Sequence, residues 1–368
     1  MNQSTRSRAS SAIVMIRPVL ILFMMFAHII ALDSWSVMSG GTALNFDDWM
    51  AVFLESALAK SGVPLLSLIS GYLAVRSLET YGYPQLLWRK AKRLIWPLFW
   101  SNLLFILLFT YPTQAVDAGH RPDLSIYPFD AYGWFQAIFV FYKMPANEPL
   151  YFLKDLYTCF ILLPLLLLAA KIRYFNLLVL AWMAWKCFVQ DGVFLVAVFP
   201  FWFLRFDIVF AFYVGILQTV NQRKLLIANH RLAVALVALL PVVWAVASAV
   251  YVVYPREDYL LLFQGMDFTV KVMSVVSCVA LMSLLSGSDG WLARGLTWLS
   301  PYSYTLFLTH LFFFTAVHRW FVTTFGWPDF FAWSGTLYVV LGFLAAVSGA
   351  VVLRTVWVRW IRRAPARA

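Results

Sequence analysis

Charged residues are scarce in this sequence of 368 residues. Asp, Glu, Lys and Arg make up only 12% of the chain, whereas hydrophobic residues make up 62%. Soluble domains carry about 25% charged and about 45–50% apolar residues. The polar residues are therefore too few to cover a globule of this length in water. The composition excludes soluble enzymes, cytosolic or secreted, and predicts an all-α, polytopic membrane protein.

Cysteine is scarce too. The chain has three cysteines, Cys159, Cys187 and Cys278, and each lies inside an apolar run. Their spacing matches neither a disulfide framework nor a metal-binding pattern. We therefore exclude a disulfide scaffold, predict no metal site, and expect three small buried hydrophobic side chains.

Acidic residues are fewer than basic ones: 17 Asp and Glu against 28 Lys and Arg give a formal net charge of +11. Such a balance is also found in nucleic-acid-binding proteins, but here the basic residues cluster in short loops between apolar stretches, and no nucleic-acid-binding motif is present. We therefore predict no nucleic-acid partner. The positive charge instead serves membrane orientation.

The sequence contains many long apolar runs. Each is long enough for a membrane helix of about 20 residues. Ten transmembrane helices are predicted near 14–34, 54–75, 94–111, 150–170, 174–190, 193–217, 232–254, 266–286, 297–317 and 330–353. The run Tyr132–Tyr142 would rise only about 17 Å as a helix, so we expect an interfacial or re-entrant segment there.

The loops alternate in charge. Basic residues fill every second loop, whereas the loops between are acidic or mixed. Because cytoplasmic loops are enriched in Lys and Arg, both termini are predicted to be cytoplasmic. The predicted organisation is a cytoplasmic N-terminal tail (1–13), one transmembrane domain (14–353) and a basic cytoplasmic C-terminal tail (354–368).

The first predicted span contains two ionisable residues, Arg17 and His28. Eleven helical steps of about 100° bring His28 to within about 20° of Arg17, about 16 Å further along the same face. One interpretation is a snorkelling arginine with a lone, hydrogen-bonded core histidine. The other is a ligand with two ends: a phosphate-bearing carrier at Arg17 and its reactive end at His28. Histidine suits general-base catalysis because its ordinary pKa lies near neutrality.

A second basic cluster begins the third span. Arg89, Lys90, Lys92 and Arg93 lie within five residues. Residues three or four apart share a helix face, so two cations can converge on one phosphate group. The alternative is that the cluster only orients the protein in the membrane.

Other polar residues inside the spans allow more than one interpretation. His310 shares a helix face with Ser303, seven residues earlier, and is either packed and satisfied or a supporting residue of the His28 site. Arg205 needs a counter-charge, from Asp207 or from a ligand anion. Asp267 and Lys271, one helical turn apart, are expected to form a local ion pair. Lys154 and Asp155 are expected to snorkel at the end of their span.

Taken together, these segments resemble the acyltransferase 3 family of bacterial membrane acyltransferases. Arg17, followed by ten residues and then His28, is similar to the motif of the family's first span. Further similarities are the segment Ser61–Leu73 with its Ser-Gly-Tyr, the basic entry 89–93 followed by Pro97, the segment Leu150–Leu156 with Tyr151 in place of Trp, and the segment Ser300–His310 with Phe307 in place of Tyr.

The resemblance implies a multi-pass protein of the bacterial inner membrane that transfers an acyl group, usually acetyl, from cytoplasmic acyl-CoA. The implied acceptor is a hydroxyl of a carbohydrate such as an exopolysaccharide, lipopolysaccharide or other surface glycan. On this basis His28 is the catalytic base, Arg17 orients the donor, and the cluster 89–93 binds the CoA phosphates. No cofactor is permanently bound; acetyl-CoA is the donor substrate. Membrane lipid and other surface-glycan biosynthesis proteins are the remaining implied partners.

The 89–93 cluster departs from the family pattern. The family often has two arginines three residues apart here, whereas this sequence offers Lys90 with Arg93 or Arg89 with Lys92. Lysine is a weaker bidentate phosphate ligand than arginine. The pair that binds phosphate therefore stays open.

A secondary transporter or glycan flippase is the alternative from another functional class. In such a protein Arg17, His28 and Arg205 would line a permeation path. Inverted repeats would favour a transporter, but the two halves of the sequence show no internal similarity.

Overall fold

The computed structural model describes residues 3–30, 49–50, 52–54, 62–116, 124, 126–139, 145–189, 204–223, 225–254, 258–326 and 333–363. Within these ranges every regular element is a helix and none is a β-strand. The all-α class predicted from composition is therefore confirmed. The three cysteines are free and buried, as their apolar surroundings predicted.

Thirteen helices are labelled in chain order in the described residues. They are α1 Gln3–Ile30, α2 Gly62–Tyr81, α3 Tyr83–Val116, α4 Ala131–Phe139, α5 Tyr151–Ile161, α6 Leu163–Lys171, α7 Arg173–Phe188, α8 Phe206–Val220, α9 His230–Val253, α10 Leu260–Leu285, α11 Trp291–Leu299, α12 Ser303–Phe325 and α13 Trp333–Arg363. Short 3₁₀ turns at Glu148–Leu150 and Ser300–Tyr302 precede α5 and α12.

Six helical segments in the described part of the chain are long and apolar enough to cross a membrane, and the number rises to seven if α5 and α6 form one bent span. These six are Ala9–Ile29, Tyr83–Val116, His230–Val253, Leu260–Leu285, Trp291–Phe325 and Trp333–Arg359. The chain is thus a multi-pass membrane protein. Parts of the predicted second and sixth spans, residues 55–61 and 193–203, lie outside the described residues.

Two predicted spans differ in shape from their hydropathy profile. The third, expected over 94–111, is part of a 34-residue helix from Tyr83 to Val116, which passes through a π-turn at Ile106–Thr110. The fourth, expected over 150–170, breaks at Leu162 with a bend of 57°. The break has a local cause: Pro164, in the first turn of α6, has no N–H to donate to the preceding turn.

The short apolar run after α3 forms α4, whose nine residues rise only about 13 Å and cannot cross a bilayer. A buried asparagine of α3 holds this helix and the following loop. The amide of Asn102 donates to the carbonyl of Ile138 at 2.7 Å, and its oxygen accepts from the backbone N–H of Asn147 at 3.0 Å. Buried polar groups need such partners because their desolvation is costly.

The chain divides into two compact units. The first unit comprises Met1–Gly62, Pro241–Tyr259 and Leu281–Ala368, and the second comprises Val63–Leu240 and Leu260–Ala280. In the first unit α12 packs along α13, and α1 contacts α11 and α12. In the second unit α3 packs against α4 and α5, and α8 packs against α5, α6 and α7.

Candidate active site

Helix α1 carries the first pair of predicted site residues. It runs unbroken from Gln3 to Ile30, through Pro18, so Arg17 and His28 keep the register expected from the sequence. The Arg17 side chain is exposed, whereas that of His28 is half-buried. The helix therefore presents both on one face, with the guanidinium about three turns from the imidazole.

His310 of α12 lies beside His28 in the first unit. The centroids of the two rings are 5.5 Å apart and their planes meet at 47°. His310 is fully buried, and its Nδ1 lies 2.9 Å from the carbonyl oxygen of Phe307 and 3.2 Å from that of Leu306. The fold thus brings together two intramembrane histidines that lie near opposite ends of the sequence.

Aromatic and aliphatic side chains surround the histidine pair. The Phe314 ring lies 5.6 Å from the His310 ring, and the Phe343 ring of α13 lies 5.8 Å from that of Phe314. Next to His28, Ile29 packs against Gly342 so closely that a Cβ on this glycine would overlap the Ile29 side chain. The contact holds α1 tightly against α13.

Ser303 is buried at the start of α12, but its hydroxyl donates to the carbonyl of Leu299, at 3.4 Å, in the preceding turn. Seven residues of helix place it about 10 Å from His310 along the axis. The contacts that fix the His310 ring therefore come from backbone carbonyls, not from this hydroxyl.

The basic cluster lies on α3, in the second unit. Arg89, Lys92 and Arg93 are exposed, whereas Lys90 is half-buried with its ammonium 4.1 Å from the centroid of the Phe160 ring. Two of the exposed cations also contact aromatic rings, at 3.9 Å for Arg89 over Tyr81 and 4.8 Å for Lys92 over Trp88. Arg89, Lys92 and Arg93 are therefore the members accessible to a phosphate.

A group of buried and half-buried charges occupies the second unit. Arg205, just before α8, lies with its guanidinium carbon 3.5 Å from the centroid of the Tyr151 ring. Asp207, offered by the sequence as its counter-charge, lies 3.8 Å from the ammonium of Lys271, which pairs at 2.8 Å with Asp267. The local ion pair predicted between Asp267 and Lys271 is thus confirmed.

Lys154 and Asp155 of α5 complete this charge group. Both were expected to snorkel near the end of their span, but both are buried, and their side chains pair at 2.8 Å. Asp155 also interacts electrostatically with Arg205 and Asp207. The snorkelling prediction was wrong, because packing of α3 and α8 against α5 covers this end of the helix. The group, made of Lys154, Asp155, Arg205, Asp207, Asp267 and Lys271, holds three cations and three carboxylates.

A metal ion has no evident place in this arrangement. Within the ranges that the structure describes, no three His, Cys, Asp or Glu side chains come close enough together to bind one.

The family follows from comparison with known proteins. The sequence profile described as an acyltransferase domain of the acyltransferase 3 type matches residues 11–355, nearly the whole chain. The chain belongs to the acyltransferase 3 family. It is 29% identical over 277 residues, 74% of this chain and 70% of the relative, to the succinoglycan biosynthesis protein ExoH of Rhizobium meliloti strain 1021. No solved structure matches it significantly.

Residues of this acyltransferase that the sequence singled out only by resemblance now have a physical role. Gly71, in the Ser-Gly-Tyr segment, lies against the backbone of α8, where a Cβ would overlap the carbonyl of Phe212. Gly215 faces the carbonyl of Leu68 in the same way, and the Thr219 hydroxyl donates to the carbonyl of Tyr72 at 2.8 Å. Small residues permit such close approach of membrane helices. The segment therefore fixes α2 on α8.

Proposed function

We propose that this membrane acyltransferase is an O-acyltransferase, of the O-acetyl type, that moves an acyl group from cytoplasmic acyl-CoA to a hydroxyl of a surface carbohydrate. The acceptor class follows from the relative, whose name places it in the biosynthesis of succinoglycan. The observation that carries the proposal is the position of His28, on the same face of α1 as Arg17 and half-buried beside His310. An exopolysaccharide, a lipopolysaccharide or another surface glycan satisfies the acceptor chemistry.

His28 is the general base in this mechanism. Its imidazole takes the proton of the acceptor hydroxyl as the oxygen attacks the thioester carbonyl. The new C–O bond forms, the C–S bond breaks, and the imidazolium returns its proton to the departing CoA thiolate. The aromatic and aliphatic shell around the pair limits water, which would otherwise compete as the acyl acceptor.

The cationic residues bind the donor in this proposal. Arg17, exposed on the same face of α1 as His28, orients the acyl-CoA. Arg89, Lys92 and Arg93 bind its phosphates, with Arg89 and Arg93 as the arginine pair one turn apart. Lys90 is directed to the Phe160 ring and supports the cluster from the protein side.

The topology proposed for this function has about ten spans, an even number, in the bacterial inner membrane. Both termini face the cytoplasm, because the basic residues of the tails and of alternate loops follow the positive-inside rule. The transmembrane domain occupies 14–353 between the tails 1–13 and 354–368. Other surface-glycan biosynthesis proteins supply the acceptor.

Release of CoA by the purified protein tests the proposal against the transporter alternative. The protein in nanodiscs is incubated with acetyl-CoA or succinyl-CoA, with and without surface polysaccharide extracted from the native bacterium. We expect free thiol to appear in stoichiometric proportion to acylated glycan, and only when the polysaccharide is present. Polysaccharide that crosses proteoliposome membranes without thiol release would show a transporter and overturn the proposal.

A further inference from the structure

The tautomer of His310 follows from its partners. Its Nδ1 lies 2.9 Å from the Phe307 carbonyl oxygen and 3.2 Å from that of Leu306. A carbonyl can only accept a hydrogen bond, so Nδ1 carries the proton and donates it. In the neutral ring the other nitrogen, Nε2, is then an acceptor. The helix backbone thereby fixes which side of the ring accepts.

This acceptor is buried without a hydrogen-bond partner among the described residues. Buried polar atoms almost always have partners, and an exception calls for an explanation. The nearest imidazole is that of His28, with the ring centroids 5.5 Å apart. At this separation a small side-chain rotation allows one N–H···N hydrogen bond between the rings.

A carboxylate, the usual group that orients a catalytic histidine, is not at hand. Among the described residues of the first unit, the acidic side chains are Asp258 and Asp289, and both are exposed. The rings in contact with His310 besides His28 are those of Phe307 and Phe314, which cannot accept a proton. His310, whose ring lies 5.5 Å from that of His28, is therefore placed to orient the base.

We propose that His310 is a positioning residue for the His28 base, an inference that rests on the proposed function. Its Nε2 accepts a hydrogen bond from one ring nitrogen of His28, which leaves the other His28 nitrogen unprotonated and directed at the acceptor hydroxyl. When His28 takes the hydroxyl proton, the same hydrogen bond becomes charge-assisted and stabilises the imidazolium. His310 itself exchanges no proton, and its own N–H stays on the Phe307 and Leu306 carbonyls.

Two substitutions at position 310 separate positioning from packing. His310→Leu removes the acceptor and fills its place with an apolar side chain. His310→Gln instead keeps an acceptor oxygen near the position of Nε2. We expect His310→Leu to lower kcat about 10–100-fold, by analogy with residues that orient metal-bound histidines, with KM for acetyl-CoA unchanged. His310→Gln should recover most of the loss. If both variants lose activity equally, or if KM rises with the fall in kcat, the positioning role is overturned.

A double-mutant cycle distinguishes this inference from the proposed function. If His310 acts through His28, His310→Leu should cost nothing further in a His28→Ala background. Full activity of His28→Ala would contradict the proposed function itself. Loss in His28→Ala with full activity in His310→Leu would leave the function intact and refute only the positioning role.

Discussion

The two units of this acyltransferase treat buried polar groups differently. In the second unit every carboxylate of the charge group has a cation within 4 Å, and Lys154 with Asp155 and Asp267 with Lys271 pair at 2.8 Å. In the first unit the half-buried His28 lies beside the buried His310, and one nitrogen of His310 has no partner in the described part of the chain.

This difference between the charge group and the histidine pair suits the two to different roles. A balanced charge group joins helices through ion pairs, because each of its carboxylates has a cation within 4 Å. In the histidine pair, one ring can take up a proton while the unpartnered Nε2 of His310 accepts a hydrogen bond from it. The proposed acyl transfer therefore involves the histidine pair of the first unit, and the charge group of the second unit is expected to stabilise helix packing.

The largest effect is expected from breaking one ion pair of the charge group. Lys154→Met leaves Asp155 buried without its 2.8 Å partner, which should cost about 3–5 kcal/mol of stability. The paired change Lys154→Met with Asp155→Leu removes both charges and should restore the folded protein, because replacing a buried pair by apolar residues is often neutral. Detergent-extracted yield and thermal unfolding measure both variants. A double variant that folds but does not turn over would give the pair a chemical role and break the comparison.

The next effect concerns close packing in the second unit. Gly71→Ala places a methyl group against the Phe212 carbonyl, so we expect a loss of about 1–3 kcal/mol, the usual cost of overpacking. Gly295→Ala is the matched control, because nothing lies within 4 Å of a Cβ at that helical position. This change should be neutral or slightly stabilising. Equal unfolding temperatures in the two variants would contradict the contact between α2 and α8.

The donor side tests whether the exposed cations bind phosphate or only orient the chain. Arg93→Lys keeps the charge but replaces a planar fork by a point charge, so acyl-CoA affinity should fall about 10–100-fold, or about 1–3 kcal/mol. Arg17→Lys should behave similarly if it contacts the donor. Calorimetry of the purified variants in nanodiscs measures the affinity, with Arg173→Lys, an exposed arginine outside the cluster, as a charge-preserving control. Wild-type affinity in both variants would leave the cluster a topological signal only.

The smallest effect is expected at Ser303. Its hydroxyl bonds the Leu299 carbonyl of the preceding turn, which alanine leaves accessible to other donors. Ser303→Ala should therefore keep the turnover number within about twofold, since such a local bond contributes only about 1 kcal/mol. A tenfold loss in steady-state turnover would instead make this hydroxyl part of the site.

Local sequence patterns predicted much of this structure. Apolar runs located the helices, the spacing of Asp267 and Lys271 predicted their 2.8 Å pair, and the helical period put Arg17 and His28 on one face. Each depends on residues within a few turns of one another, where helix geometry determines the neighbours. The break at Leu162 was not predicted: hydropathy indicated one span over 150–170, although the local cause of the break, Pro164, is visible in the sequence.

Contacts between distant segments were beyond such patterns. The proximity of His28 and His310 depends on how α1 packs against α12, and the burial of Lys154 and Asp155 depends on helices that cover α5. Hydropathy predicts that a segment forms a membrane helix, but it does not predict which other helices pack against it. Gly71 is a further example. The family resemblance included this residue, but the reason for a glycine, the facing carbonyl of Phe212, is visible only in the structure.

The most direct measurement of the central claim is acylation of the surface glycan by His28→Ala. The substitution removes the proposed base but should leave membrane levels near normal, because a small apolar side chain is tolerated in a membrane helix. Loss of proton transfer typically costs 10²–10⁴-fold, so we predict that acylation falls to about 1% or less of wild type. Normal acylation by a well-expressed His28→Ala protein would contradict the account.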